Sequence, residues 1–203
     1  MTIKVNQLTK SFDGKKVLNN LTVTLEGGRV TSLMGASGSG KTTLANILLG
    51  LLQPDSGTIE GLTGKKLSAV FQEDRLCEQL NALENIYLIL KKEIDCHEIM
   101  KQLEAVGLDD GLGRKPVHQL SGGQKRRVAI LRAMIAERDF ICLDEPFKGL
   151  DKETKEKSMA YVKKAIEGKT VLLITHDVQE ADYFGGTRIE LLPEFLNGIQ
   201  VFA

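Results

Sequence analysis

The chain has 203 residues, 42% of them hydrophobic and 5% aromatic. Lys+Arg and Asp+Glu number 27 each, a balance that argues against a nucleic-acid partner, since such partners select basic faces. The three cysteines, Cys77, Cys96 and Cys142, form no CxxC pair, which argues for reduced thiols and against a disulfide framework or a zinc site.

MTIKVNQLTK at the start lacks an apolar core segment, so no signal peptide is expected. ILLGLL (47–52) and VLLIT (171–175) are too short to cross a bilayer, and the chain reads as soluble. Residues 2–8 and 21–25 alternate apolar and polar, as half-buried strands do, and Asp13-Gly14 between them marks an antiparallel turn. RVTSLM (29–34) reads as a buried strand, followed by a Gly-rich loop and an amphipathic helix through Leu44, Ile47, Leu48 and Leu51, with Gly50 as its C-terminal cap. Short strands are expected near 58–60 and 67–71. A helical stretch follows over 81–106, with capping boxes at Asn81/Glu84 and Asp95/Glu98 and a stop at Gly107. Loop 111–119 leads into a helix over 122–137. A strand (140–144), a polar helix (152–167), a strand (170–175) and a final strand or hairpin complete the chain. Apolar strands alternating with helices predict a mostly parallel, covered sheet, and the helical block interrupts that alternation.

GASGSGKT, Gly35 to Thr42, fits G-x-x-x-x-G-K-[ST] between a strand and a helix. The residues of this cradle are Gly35, Ala36, Ser37, Gly38, Ser39, Gly40, Lys41, Thr42 and Thr43. Successive backbone N–H groups of such a loop point into one concavity that holds phosphate. Lys41 would reach the β- and γ-phosphates, the Thr42 hydroxyl would bind Mg²⁺, and Thr43 could add a phosphate hydrogen bond. Downstream, ICLDEPFKGLD (141–151) places Asp144 and Glu145 side by side at a strand end. Adjacent carboxylates in a low dielectric repel, so a cation in front of them or a chemical role is required. A Mg²⁺ on nucleotide phosphates supplies the cation, held by Asp144. Glu145 is then placed to polarise an attacking water as general base.

LSGGQ, Leu120 to Gln124, opens the next helix, and its serine and glycines form a second anion-binding design without a lysine. With these motifs in place the chain resembles, end to end, the nucleotide-binding subunit of an ABC transporter. The order is Walker A at 35–42, Gln72, LSGGQ at 120–124, Walker B at 140–145, the GLD of the D-loop at 149–151 and His176. The resemblance implies an α/β fold: a P-loop NTPase of ABC type, with a mostly parallel sheet core, an antiparallel β subdomain and an inserted α-helical subdomain. One domain is expected over 1–203, with the core and β region at about 1–75 and 138–203 and the helical subdomain at about 76–137.

The resemblance also implies an ATP-hydrolysing subunit that uses ATP and Mg²⁺ and pairs head to tail with a second copy of itself. Ser121, Gly122, Gly123 and Gln124 of one copy would face the nucleotide on the other, and Asp151 would cross between them. By the same resemblance Gln72 would touch Mg²⁺ or the attacking water, His176 the γ-phosphate, and Phe12 the adenine. Taken alone, Gln72 reads equally as a polar loop residue, His176 as a strand cap and Phe12 as core. His97 and His118 read as ordinary surface or helix residues, and Lys125-Arg126-Arg127 as a solvated helix face.

VFQEDRLCEQLNALENIYL (70–88) resembles the permease-facing segment of importers for nitrate, sulfonates and taurine-like compounds, but carries Cys77-Glu78-Gln79 where Leu-Pro-Trp is usual. The expected partners are integral-membrane permeases and, through them, an extracytoplasmic substrate-binding protein. The expected location is the cytoplasmic face of a bacterial membrane. The chain ends about 27 residues after His176, so no regulatory domain is expected. The competing readings are a non-transport ABC regulator and a small P-loop kinase.

Overall fold

The computed structural model describes residues 1–90, 94–192 and 199–202. In chain order its elements are β1 (Ile3–Phe12), β2 (Lys15–Leu25), β3 (Val30–Met34), α1 (Lys41–Leu48), β4 (Ser56–Glu60) and β5 (Leu67–Val70). Then come α2 (Ala82–Tyr87), α3 (Cys96–Ala105), α4 (Asp110–Gly113), a 3₁₀ turn (Val117–Gln119) and α5 (Gly122–Ile135). The chain closes with β6 (Phe140–Asp144), α6 (Lys152–Ala165), β7 (Thr170–Ile174), α7 (Val178–Phe184), β8 (Thr187–Leu191) and β9 (Ile199–Phe202). Among the described residues no helix is long and apolar enough to cross a membrane. The elements sort into two compact units.

The first unit comprises Met1–Ala69, Arg138–Glu145 and Glu167–Ala203. It holds a three-stranded antiparallel sheet, β2-β1-β4, and a six-stranded sheet, β5-β6-β7-β3-β8-β9. In the larger sheet β6, β7, β3 and β8 run parallel, and β9 returns antiparallel to β8. Every residue of β6 and β7 is buried, as the apolar runs at 140–143 and 171–174 demand of strands covered on both faces. The β1–β2 hairpin turns at Asp13 (φ 49°) and Gly14 (φ 77°), two successive left-handed residues that match the twist of the flanking strands. Its strands run to Phe12 and from Lys15, longer than the alternation at 2–8 and 21–25 marks out. The reason lies in register shifts after Val5, Leu8 and Lys10, which break the period of two. Leu8, Leu21, Leu44, Leu48, Phe140, Leu172 and Ile189 belong to one buried cluster in this unit.

The second unit comprises Val70–Glu137 and Pro146–Ile166. Its core gathers Leu83, Ile86, Ile99, Leu103, Val117, Val128 and Leu131. The Asn81/Glu84 capping box forms: Asn81 Oδ1 accepts from the Glu84 amide at 2.9 Å, and Glu84 Oε2 accepts from the Asn81 amide at 2.8 Å. The box expected at Asp95/Glu98 does not. Asp95 sits at ψ 133°, against 177° at Asn81, and its carboxylate accepts from the His97 amide instead. The stretch 111–119, expected as loop, contains α4, which Asp109 caps by accepting from the Leu112 amide at 2.9 Å, and the 3₁₀ turn.

The solvated face expected at Lys125-Arg126-Arg127 is not what forms. Arg126 is buried, and Arg127 donates to the carbonyls of Gly123, Val106 and Gly107. A guanidinium offers five donors in a fixed fork and can close orphan carbonyls at a helix end, here that of α3, which a count of charges does not reveal.

Candidate functional site

In the first unit the Gly-rich loop runs from the end of β3 into the start of α1. Gly35 adopts φ 136°, and a Cβ there would lie 2.4 Å from the Leu191 carbonyl oxygen. Gly40, the N-cap of α1, adopts φ 96° and would place a Cβ 2.7 Å from Leu18 Cδ2. Only glycine fits both the left-handed backbone and the close approach. No side chain caps α1 and its first turn holds no acid, so its amides stay available to an external anion.

Lys41 is buried, and its ammonium donates to the carbonyls of Gly35 and Ala36 at 2.8 and 2.7 Å. Burial pushes its pKa below the usual lysine range, against the pull of the Glu145 and Asp144 carboxylates. Ser39 Oγ is buried without a hydrogen-bond partner, in the middle of the cradle. Ser37, Gly38 and Thr42 are exposed and Thr43 half-buried.

The β6 strand end meets this loop. Thr42 Oγ1 donates to Asp144 Oδ2 at 2.9 Å. Glu145 turns out of the strand with φ 47°, a left-handed backbone at a non-glycine residue, while its amide donates to the Ile174 carbonyl of β7 at 2.9 Å. Its Oε1 lies 2.7 Å from His176 Nε2. Thus the chain answers the two adjacent carboxylates by giving them different partners: a hydroxyl for Asp144 and an imidazole for Glu145.

The bend that presents His176 is tied down by its own neighbours. The Thr175 hydroxyl donates to the buried Glu180 at 2.5 Å and accepts from the Asp177 amide at 3.0 Å. Asp177 caps α7, which the sequence pattern did not mark as a helix. The signal that could have found it is Asp177 followed by Glu180, an acid at the cap and another in the first turn. A cavity in this unit is lined by Gly35, Ala36, His176, Arg188 and Glu190, so His176 and the loop face the same space. Phe12, at the end of β1, is 44% exposed, which removes the core reading and leaves a ring face open; Lys10 Nζ lies 5.6 Å from its centroid.

The other predicted residues, Gln72, Ser121, Gly122, Gly123, Gln124 and Asp151, lie in the second unit. Ser121 caps α5 through a full capping box. Its Oγ accepts from the Gln124 amide at 3.3 Å, and its amide donates to Gln124 Oε1 at 2.8 Å. Gln124 is therefore engaged in holding the helix start, a role written in the S-x-x-Q spacing. Gly122 has open space around it. Asp151 caps α6 by accepting from the Thr154 amide at 3.0 Å, and the hydrogen bonds from Thr154 hold its carboxyl below the usual range. Gln72 is exposed. Its backbone is gripped by Arg126, which the sequence reading placed on a solvated helix face.

A model of the ABC transporter family matches residues 18–148. The taurine import ATP-binding protein TauB of Pelagibacter ubique (strain HTCC1062) is 40% identical over 197 residues, covering 89% of this chain and 74% of that protein. Among solved structures, the dimeric structure of MJ0796, a bacterial ABC transporter cassette, superposes with a TM-score of 0.84 at 30% identity, covering 98% of this chain and 96% of the other. A post-hydrolysis dimer of the same cassette bound to ADP and Pi gives 0.82 at 31% identity, covering 95% and 96%. With the glycine loop, the strand-end acids and the capped LSGGQ helix in place, these matches show that the chain belongs to the ABC transporter family.

Proposed function

We propose that the chain is the ATP-hydrolysing subunit of a bacterial import complex, working as a head-to-tail pair with a second copy of itself. The observation that carries the reading is the pairing of Thr42 with Asp144 at 2.9 Å and of Glu145 with His176 at 2.7 Å at the end of one strand.

The loop amides of 35–43 take the phosphates, and the Ser39 hydroxyl, buried without a partner, gains one. Lys41 adds its charge there. Thr42 and Asp144 fit a Mg²⁺ ion. They offer two hard oxygens already within hydrogen-bond distance, and no cluster of three or more His, Cys, Asp or Glu ligands exists among the described residues. That is the donor set of an ion that shares its coordination with phosphates and water. When bound, the ion neutralises negative charge on the triphosphate. Glu145 accepts the proton of the attacking water, and His176 holds that carboxylate in place. Phe12 offers its face to adenine. Ser121, Gly122 and Gly123 serve the nucleotide on the partner copy, with Gln124 fixing the helix start, and Asp151 crosses the pair. Gln72 contacts the ion or the water.

Segment 70–88 receives a permease, which places the chain on the cytoplasmic face of a membrane, with an extracytoplasmic substrate-binding protein beyond. Similarity to a taurine import protein supports a small sulfonate or related anion as cargo. The departure at Cys77-Glu78-Gln79 falls on the docking segment and bears on which permease fits.

Glu145→Gln tests the reading. Turnover should fall by about 10²–10⁴-fold while ATP binding is kept, and an ATP-dependent dimer should appear by size exclusion. Hydrolysis at the wild-type rate would overturn the base assignment.

A further inference from the structure

Two arginines of α5 grip the backbone around Gln72. Arg126, whose side chain is 8% exposed, donates from Nη1 to the Phe71 carbonyl at 2.6 Å and from Nη2 to the Gln72 carbonyl at 2.5 Å. It also lies 3.2 Å from Asp74 Oδ1. Six residues on, about 9 Å along the helix, Arg132 donates to the Asp74 carbonyl at 3.0 Å and the Arg75 carbonyl at 2.9 Å. Arg75 in turn stacks on Phe71, 3.8 Å from the ring centroid. The segment just beyond is tied to the same body. Lys125 pairs with Glu78 at 2.9 Å, and the amides of Val117 and His118 donate to the carbonyls of Leu80 and Glu78 at 2.9 and 3.0 Å. All these residues belong to the second unit.

A buried guanidinium is a costly device for holding a loop. Desolvation pushes the pKa of Arg132 down and that of Asp74 up, with Arg126, Lys125 and Arg132 opposing the latter. Exposed loops ordinarily satisfy their carbonyls with water at no such cost. What the two forks achieve is rigidity at one place. They fix the carbonyls on both sides of Gln72 to the helix whose first cap is Ser121.

We propose that Arg126 and Arg132 are positioning residues for ATP hydrolysis, locking the Gln72 backbone to the Ser121-capped helix so that both residues are carried to their nucleotides as one body. The proposal rests on the reading above, in which Gln72 and Ser121 each serve a nucleotide. It adds that displacement of the 71–80 segment reaches Ser121 without slack, through the arginine forks and the amides of Val117 and His118.

The test uses Arg126→Met, Arg132→Met and, to keep the charge beside Asp74, Arg126→Lys, each alone and combined with Gln72→Ala. The expected result is a fall in kcat of roughly tenfold for the Met variants with less than about twofold change in KM for ATP. The loss should be smaller for Arg126→Lys and should vanish in the Gln72→Ala background, because the arginines act through that residue. Hydrogen exchange at the Val117 and His118 amides should rise in the Met variants. Wild-type kcat in a folded Arg126→Met protein would overturn the proposal, as would a loss in Arg126→Lys as large as that in Arg126→Met. So would losses that multiply with Gln72→Ala, the signature of general destabilisation. Wild-type turnover in Gln72→Ala alone is a separate result: it removes the reading on which the proposal stands, and the proposal with it.

Discussion

His176 Nε2 and Glu145 Oε1 meet at 2.7 Å across the ends of neighbouring parallel strands, β7 and β6. A carboxylate and an imidazole at that distance act as a unit, so a change to either one perturbs the other. His176→Ala and Glu145→Gln should therefore each lower turnover by about 10²-fold or more, and the double variant should be no slower than the slower single. Single-turnover rates at saturating ATP check this. Multiplying effects would mean that the two side chains act apart.

Lys41 gives a pH dependence with a definite sign. Its folded pKa is lowered by burial, so the free protein loses the ammonium charge at a lower pH than an ordinary lysine would allow. ATP affinity should decline as pH rises, starting below the normal lysine range. In Lys41→Met the affinity should be weak and flat over the same interval. Equilibrium binding of a fluorescent ATP analogue across the alkaline range measures both.

Asn85 is fully buried and closes the turn after the Gln72 segment. Its Oδ1 accepts from the Cys77 amide at 2.8 Å, and its Nδ2 donates to the carbonyls of Cys77, Leu80 and Asn81 at 3.1, 3.3 and 3.0 Å. Asn85→Leu strips the Cys77 amide of its acceptor and takes one donor from each of the three carbonyls, and should cost about 3 kcal/mol. Thermal unfolding should shift down by roughly 10 °C. An unchanged midpoint would show that the turn is held by other contacts.

The thiols should separate cleanly under a maleimide. Cys77 is exposed, whereas Cys142 lies in the middle of β6 and burial pushes its thiol far above the usual range. The native protein should be modified at Cys77 within minutes and at Cys142 only after denaturation, as read by peptide mass spectrometry.

Much of this organisation was legible in the residues. The glycine loop, the strand-end acids and LSGGQ declare themselves because each needs particular side chains at fixed spacing. The covered strands do so because Phe140–Asp144 and Thr170–Ile174 are almost without interruption apolar. What stayed hidden was set by geometry that spacing does not encode. Lys125-Arg126-Arg127 looks like a solvated run, yet Arg126 is buried because carbonyls more than fifty residues earlier need its donors. Asp95 caps one amide earlier than Asn81 does, a matter of one backbone angle. The bend before α7 depends on the Thr175–Glu180 pair, a buried contact that spacing alone does not announce.

Glu145 holds its left-handed turn at φ 47° although no glycine is there to make it easy. A non-glycine residue in that region costs of order 1 kcal/mol. Glycine at this position would relax the backbone and could raise the melting temperature while leaving an inert enzyme. Selection for durability alone would erase the carboxylate; on the proposed reading, in which Glu145 activates water, its presence at so awkward a bend is robustness given up for reactivity.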